Sequence, residues 1–186
     1  ATEDEDITTA LREALVAEGI EVVVNARVIR VEGGDGDVQV AATVSGQETL
    51  FSGTHLMIAV GRVPNTDGLG LETAGVNLDE HGFIKINDRL ETTASGIWAL
   101  GDVRGGPMFT HTARDDARIL YQNVIKNADL SIKDRVVPWG VFTDPQLGRV
   151  GLSEREARAA GFKLKIGTYE ARKVAKARAN GETRGL

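Results

Sequence analysis

The sequence of 186 residues contains no cysteine. This absence excludes a disulfide framework, thiolate metal sites and any thiol redox centre within these residues. The sequence also lacks an apolar run that approaches the roughly 20 residues needed to cross a bilayer as a helix, so no membrane role is expected. Basic residues are not in excess, because the formal net charge is −5, and the composition gives no reason to expect a nucleic-acid partner.

The residues that are present are typical of a soluble globular chain. Hydrophobic residues make up 41% and charged residues 26% of the sequence, which allows one or two packed domains. The N-terminal stretch ATEDED is acidic and lacks the basic start and the apolar core of a secretory signal. We therefore expect a cytoplasmic protein.

The first sixty residues predict a helix followed by a β-meander. Apolar residues recur at helical spacing from Ile7 to Leu15, after an acidic start, and Gly19 is placed to end the helix. Residues 20–24 then lead into short β-rich stretches separated by glycine-containing turns, which predicts a series of hairpins. The stretches are residues 28–31, 38–40 and 49–51.

Two later apolar runs are the most informative feature of the sequence. Residues 56–60 and 97–100 each read as a buried strand, and each stops at a glycine, Gly61 and Gly101. The carboxyl ends of strands are where open α/β sheets place their ligands. The pair of strand ends therefore predicts a binding site.

The second half of the chain predicts two helices among short strands. Thr110 or Thr112 is expected to cap the first helix, and Ser153 with Glu156 forms a capping box for the second, which Gly161 closes. The apolar face of the first helix is expected to be core. That face consists of Ala113, Ala117, Leu120, Val124 and Ile125. Strands are expected at residues 139–142, 147–150 and 164–169, and one begins at residue 183.

The segments IAVGRVPNT at residues 58–66 and TTASGIWALGD at residues 92–102 resemble the pyridine nucleotide-disulfide oxidoreductases, the group of mercuric reductase, dihydrolipoamide dehydrogenase and glutathione reductase. The resemblance implies an α/β fold, with partial FAD- and NAD(P)-binding Rossmann-like domains followed by the start of an α+β dimerisation domain. It places the end of the NAD(P) domain at residues 1–53, the second FAD segment at 54–130 and the interface domain at 136–186.

The resemblance also implies an activity. Electrons would pass from NAD(P)H through FAD to a redox-active disulfide and then to an acceptor such as mercuric ion or lipoamide, in a homodimer. The family's two Gly-x-Gly-x-x-Gly turns and its Cys-x4-Cys pair would precede Ala1, and its His-x4-Glu pair would follow Leu186. We therefore expect no catalytic residue in this chain, which alone should be inactive.

Cofactor contacts are carried over from the family where residues match. Asp102, after Gly101, would accept a hydrogen bond from the ribityl chain of FAD. The pair Gly101-Asp102 alone favours a simple turn at a strand end, but the eleven-residue context from Thr92 favours the FAD contact. The run Met108, Phe109, Thr110, His111 and Thr112 would approach the flavin ring, with the following helix N-terminus facing its N1 and C2-carbonyl edge. For His111 a capping or surface role is an alternative.

A second group of contacts involves the nicotinamide. Ala59, Val60, Gly61 and Arg62 match the family segment between the flavin and nicotinamide sites, where a glycine allows close backbone approach. Val28 would lie near the bound dinucleotide, with a core strand position as the alternative reading.

Other readings are weaker. His55, His81 and His111 are far apart and share no metal-ligand spacing with a carboxylate, so no metal site is expected. Basic residues at 172, 173, 176 and 178 are interpreted as a solvated face rather than an anion site. The pattern Asp115-Asp116-x-Arg118-Ile119 looks more like mercuric-reductase-like flavoproteins than glutathione reductase, and the electron acceptor stays open. The alternative to an oxidoreductase is a non-catalytic module that keeps only FAD-domain and interface segments.

Overall fold

A computed structural model describes residues 3–186, which form two compact units. The first unit runs to Val60 and takes in Gly140–Leu147 and Leu152–Leu186. The second unit consists of Gly61–Trp139 and Gly148–Gly151. Among the residues described, no helix is both long enough and apolar enough to cross a membrane.

The first unit begins with helix α1, Glu5–Ala17. Glu5 and Asp6 lie in its first turn, where their charge suits the positive end of the helix dipole, and Ala14 is its buried residue. Gly19 follows the helix with a φ of 87°, a backbone conformation that glycine adopts without strain. The predicted helix and its end are confirmed.

An antiparallel meander follows, with β1 at Ala26–Gly34, β2 at Asp37–Val44 and β3 at Gln47–Gly53. Two-residue turns join the strands, and both residues of each turn have positive φ, as hairpin turns of this type require. The turns are Asp35-Gly36 and Ser45-Gly46. The meander confirms the predicted hairpins, whereas residues 20–24 form no strand.

Short elements dominate the remainder of the chain. Strands β4, Trp139–Val141, and β5, Leu147–Arg149, form a two-stranded sheet. Helix α3, Glu154–Ala159, has the predicted capping box: the Ser153 hydroxyl accepts from the Glu156 N–H, and the Glu156 carboxylate accepts from the Ser153 N–H. A 3-10 turn at Ala171–Lys173 precedes α4, Ala175–Asn180.

The strands expected at residues 164–169 and from residue 183 are absent from the structure, which assigns no regular element there. A strand needs a neighbour to receive its backbone hydrogen bonds, and no ladder partner for these segments lies within residues 3–186. β-propensity alone therefore gave the wrong prediction at both places.

The second unit packs its loop-rich segment around a small apolar core formed by Val76, Ile84 and Ala99. Isolated bridges and turns, rather than continuous strands, hold the segment together: the Ile84 N–H donates to the Val103 carbonyl and the Ala99 N–H to the Leu90 carbonyl. A 3-10 turn, Gly101–Arg104, leads to the long helix α2, Thr110–Lys126.

Neither strand predicted before a glycine is formed as a strand. Residues 56–60 have no ladder, and Met57 and Val60 are 89% and 92% exposed. Residues 97–100 contribute one bridge, between Glu91 and Trp98. An apolar run identifies a segment suited to burial between neighbouring strands, but it does not supply those neighbours.

Helix α2 differs from its prediction in two respects. Its N-cap is Phe109, without a side-chain cap, so neither Thr110 nor Thr112 caps it. Its buried residues are Thr112, Asp116 and Ile119, whereas the predicted core face is partly or wholly exposed. The reason is that Arg104 and Arg135 bind the Asp116 carboxylate and so cover that side of the helix.

Candidate functional site

The turn at Gly101 connects the apolar core to helix α2. Gly101 has a φ of 71°, and a Cβ added to it would lie 3.2 Å from the Cβ of Ala113. Glycine is therefore required both by the backbone conformation and by close packing against the first turn of α2. This packing places Asp102 immediately after a residue that touches the start of the helix.

Asp102 presents a carboxylate to solvent. Its side chain is exposed, and within residues 3–186 that carboxylate has no hydrogen-bond or ion-pair partner. An ionised carboxylate accepts hydrogen bonds strongly, and a hydroxyl group is a suitable donor. Asp102 is thus available to a ligand.

A cavity of about 430 Å³ opens beside Asp102. It is lined by Arg62, Val63, Pro64, Asn65, Phe83, Asp102, Val103 and Met108. The Arg62 guanidinium donates a long hydrogen bond of 3.5 Å to the Met108 carbonyl, which ties the two ends of the lining together. Three residues predicted from the sequence, Arg62, Asp102 and Met108, therefore meet in one cavity.

The N-terminus of α2 offers unsatisfied donors. The first bond into the helix runs from the Ala113 N–H to the Phe109 carbonyl, so the N–H groups of Thr110, His111 and Thr112 precede it. Thr112 is buried, and within the described chain its hydroxyl has no partner. Such a terminus favours negative charge.

Three aromatic rings stack next to this terminus. The Phe109 ring lies between those of His111 and Trp139, with centroid distances of 5.3 and 6.3 Å and interplanar angles of 10° and 12°. His111 is exposed, and its ring stacks on Phe109 rather than capping the helix. The stack fixes the ring of Phe109, one of the residues predicted to approach the flavin.

Asp116 was missed by sequence reasoning. It is fully buried, and its carboxylate accepts from the Gly101 N–H at 2.9 Å, from two nitrogens of Arg104 at 2.6 and 3.1 Å, and from Arg135 at 2.7 Å. Burial by itself raises the pKa of this carboxyl, but the hydrogen bonds from Arg104, Gly101 and Arg135 outweigh it, so the pKa lies below its usual value. The available signal was an acidic residue at the helical spacing of Thr112 and Ile119.

The remaining predicted contacts do not line this cavity. Gly61 adjoins Arg62 in the second unit, whereas Val28, Ala59 and Val60 belong to the first unit. Val28 lies in β1 and is 60% exposed, which disagrees with the alternative reading of a core strand residue. Ala59 and Val60 are exposed in the extended segment that precedes Gly61.

Comparisons with known proteins define the class. Residues 1–117 match the family model of the pyridine nucleotide-disulphide oxidoreductases, and residues 137–186 match the dimerisation domain of the same family. The chain therefore belongs to the pyridine nucleotide-disulphide oxidoreductase family. Enzymes of this family depend on FAD and use NAD(P)H.

Particular relatives include the probable pyridine nucleotide-disulfide oxidoreductase RclA of Escherichia coli, 37% identical over 99% of this chain and 41% of its own length. A dihydrolipoyl dehydrogenase of Thermus scotoductus is 39% identical over 89% of this chain and 36% of its own length. A mercuric reductase of Staphylococcus aureus is 33% identical over 100% of this chain and 34% of its own length. The chain thus spans less than half of each relative.

The solved structure of the HOCl-induced flavoprotein disulfide reductase RclA from Escherichia coli superposes with a TM-score of 0.88 at 36% identity, over 99% of this chain and 42% of that one. The fold class predicted from the sequence is confirmed: partial FAD- and NAD(P)-binding domains of Rossmann type precede the start of a dimerisation domain.

Proposed function

We propose that this chain forms part of the FAD-binding site of an NAD(P)H oxidoreductase of the disulfide reductase family. The observation that carries the proposal is the exposed, unpartnered carboxylate of Asp102 beside a 430 Å³ cavity, fixed to the start of α2 through Gly101. Cofactor sites of this kind are concave and combine apolar lining with a few polar groups, as this one does.

The residues fit FAD. The isoalloxazine ring is apolar on its faces and carries polar atoms on its edges, and the ribityl chain carries hydroxyl groups. The cavity provides Phe83, Val103 and Met108 as apolar lining and the Asp102 carboxylate as acceptor. The free N–H groups at the start of α2 and the unpartnered Thr112 hydroxyl provide donors.

FAD, when bound, supplies hydride and electron transfer. The residues of this chain would bind and orient it: Asp102 would accept a hydrogen bond from a ribityl hydroxyl, and Gly101 packs the turn that carries Asp102 against the helix. The N-terminus of α2, at Thr110, His111 and Thr112, favours negative charge on the facing edge of the ring. Met108 and the stacked Phe109, both half-buried, would limit the access of water to a bound flavin.

For the nicotinamide, we propose that Ala59, Val60, Gly61 and Arg62 form the backbone segment between the two cofactors, and that Val28 contacts the dinucleotide. The exposure of Ala59, Val60 and Val28 supports this proposal, because each side chain is accessible to a ligand. Residues 1–53, 54–130 and 136–186 are proposed as the NAD(P), FAD and interface segments.

The complete electron path requires residues outside this sequence. We propose that electrons pass from NAD(P)H through FAD to a redox-active disulfide and then to a small-molecule or disulfide acceptor, in a cytoplasmic homodimer that binds neither nucleic acid nor membrane. The match to a dimerisation domain supports the homodimer. The chain contains no cysteine, which supports the proposal that the thiols lie outside this sequence and that the isolated chain is inactive.

The test measures FAD affinity in the intact protein. Removal of a charged acceptor by Asp102→Asn is expected to weaken FAD binding by about 10- to 100-fold, as for the loss of a hydrogen bond to a charged group. Titration of the flavin-free protein, followed by quenching of flavin fluorescence, gives the dissociation constant. Asp67→Asn is the matched control, because Asp67 is exposed in the same unit and does not line the cavity. Equal affinities in both variants would refute the role of Asp102.

A further inference from the structure

One buried carboxylate, that of Asp116, is bonded to the turn that carries Asp102. Asp116 is 0% exposed and accepts the Gly101 N–H at 2.9 Å, so it is bonded to the residue immediately before Asp102. Asp116 lies one helical turn after Thr112, on the buried face of α2. Its carboxylate therefore connects the body of the helix to the start of the 3-10 turn.

Arg104 extends the connection to the far end of the same turn. Its Nε and Nη2 donate to the two carboxylate oxygens of Asp116, and its Nη1 donates to the Gly105 carbonyl at 3.2 Å. The Arg104 side chain is 6% exposed, so these bonds are shielded from water. Gly101, at the start of the turn, is therefore bonded to the Asp116 carboxylate directly, and Gly105, which follows the turn, is linked to it through Arg104.

Arg135 shares that carboxylate but not the turn. Its Nη1 lies 2.7 Å from an Asp116 oxygen and 3.1 Å from an oxygen of Asp115. Within residues 3–186, the Arg135 side chain forms its hydrogen bonds and ion pairs with Asp115 and Asp116, and none with Gly101, Asp102 or Gly105. Arg104 and Arg135 therefore provide a matched pair, one attached to the turn and one not.

We propose that Asp116, acting through Arg104, is a positioning residue that holds Asp102 in the orientation for FAD binding. This inference rests on the proposed role of Asp102. Gly101 and Gly105 both adopt positive φ, at 71° and 73°, where glycine backbone has wide freedom. A turn between two such glycines needs bonds from outside it to keep one conformation. The Ile84 N–H supplies one of them, to the Val103 carbonyl, and the Asp116 carboxylate supplies those at Gly101 and Arg104, on either side of Asp102.

The test avoids Asp116 itself. Asp116→Asn leaves the buried Arg104 guanidinium without its counter-ion and takes from Arg135 one of the two carboxylates that pair with it, so this variant risks misfolding. Arg104→Lys keeps the charge but cannot bind both carboxylate oxygens and the Gly105 carbonyl as a planar fork does. Arg135→Lys makes the same chemical change on the other side of the same carboxylate. FAD dissociation constants and the thermal midpoints of the flavin-free intact protein are measured for both, alone and combined with Asp102→Asn.

The expected result is that Arg104→Lys weakens FAD binding by about tenfold, a size comparable to the loss of one hydrogen bond to a charged group, and that Arg135→Lys changes it less than about twofold. In the Asp102→Asn background, Arg104→Lys should not weaken FAD binding further, because Arg104 affects FAD binding only by positioning Asp102. A purely structural role would not produce this non-additivity.

Two outcomes would overturn the inference. In the first, Asp102→Asn weakens FAD binding, but Arg104→Lys leaves it unchanged, weakens it only as much as Arg135→Lys does, or adds its effect to that of Asp102→Asn. Asp116 then does not position Asp102, although the contact between Asp102 and the flavin cofactor is supported. If Asp102→Asn itself leaves FAD affinity unchanged, the flavin contact fails and the inference fails with it.

Discussion

The polarity of the two faces of helix α2 is the reverse of that expected of a surface helix, because its polar face is buried and its apolar face is exposed. The buried face carries Thr112 and Asp116 as well as Ile119. The other face carries Val124 and Ile125, which are 41% and 60% exposed. With Trp98, Leu100, Ala117, Leu120 and Tyr121, these two residues line an open apolar groove of about 320 Å³.

The comparison shows that hydrophobic periodicity identifies the surface that is suited to burial, not the surface that this chain buries. A contiguous exposed apolar surface on a soluble protein commonly marks a contact with another segment or partner. The chain spans only 34% to 41% of the relatives named above. We therefore expect the groove to be covered in the intact protein, whereas the Asp116 carboxylate on the buried polar face already has its partners within this chain.

The largest expected effect concerns the polar face. Asp116→Ala removes the counter-ion of the buried Arg104 and one of the two carboxylates that pair with Arg135. Breaking a buried ion pair by removing one partner costs about 3–5 kcal/mol. Urea unfolding of the intact protein should show this loss in the free energy of unfolding. Asp115→Ala is the matched control on the same helix: Asp115 pairs with Arg118 and Arg135, but its side chain is 37% exposed, so we expect a loss of about 1 kcal/mol or less. Equal losses would mean that Asp116 is not buried as the structure shows.

A second prediction tests whether the groove is covered. Ile119 is 3% exposed and Ile125 is 60% exposed, so the same substitution can be made on both faces. Ile119→Ala should cost about 2–5 kcal/mol, because it leaves a cavity in the core. Ile125→Ala should cost less than about 0.5 kcal/mol in the isolated chain, as exposed substitutions do, but about 2 kcal/mol or more in the intact protein.

Urea unfolding of both variants, in the intact protein and in the isolated chain, gives the comparison. A small effect of Ile125→Ala in both forms would show that nothing packs on the groove. The isolated chain is expected to be only marginally stable, because residues 56–60 expose unpaired backbone groups. A sharp thermal transition of the isolated chain, independent of its concentration, would count against that expectation.

The sequence predicted the elements whose signals are local. Helix α1, the meander with its Asp35-Gly36 turn and the capping box of α3 depend on neighbouring residues, and all three are confirmed. The family and its cofactors could also be inferred, since the segments around Gly61 and Gly101 carry the resemblance. The individual cofactor contacts stay predictions.

What the sequence could not show depends on long-range pairing. Residues 56–60 have the composition of a buried strand, but strand formation requires neighbours that the pattern does not name. The role of Asp116 depends on Arg104 and Arg135, which reach it from outside α2. A carboxylate on a helix is normally read as solvent-facing, and only the three-dimensional structure reveals the two guanidinium groups that make its burial stable.

Acid should reduce the contribution of Asp116, on the polar face of α2, to the free energy of unfolding. The pKa of Asp116 is lowered in the folded state, so its contribution to stability is fully present above the ordinary aspartate pKa of about 4 and is lost as pH falls through the folded-state value. The difference in unfolding free energy between the wild type and Asp116→Asn should therefore be constant near neutral pH and shrink below about pH 4. Subtraction of the variant removes the contributions of other acidic groups, such as Asp79, whose pKa is also lowered. A difference that stays constant down to pH 2 would contradict the prediction.

The smallest effect is expected at the Thr112 hydroxyl, which is buried and has no hydrogen-bond partner within residues 3–186. Thr112→Val replaces that hydroxyl by a methyl group of similar shape, and an unpaired buried hydroxyl costs on the order of 1 kcal/mol, so the flavin-free protein should become more stable by about that amount. Val and Thr have similar helix propensities, so the comparison isolates the hydroxyl. If Thr112 also donates to FAD, the same variant should bind FAD more weakly while its flavin-free form melts at a higher temperature. Destabilisation of the flavin-free form would instead mean that the hydroxyl has a partner when the protein is folded, and the polar face of α2 would then be fully paired.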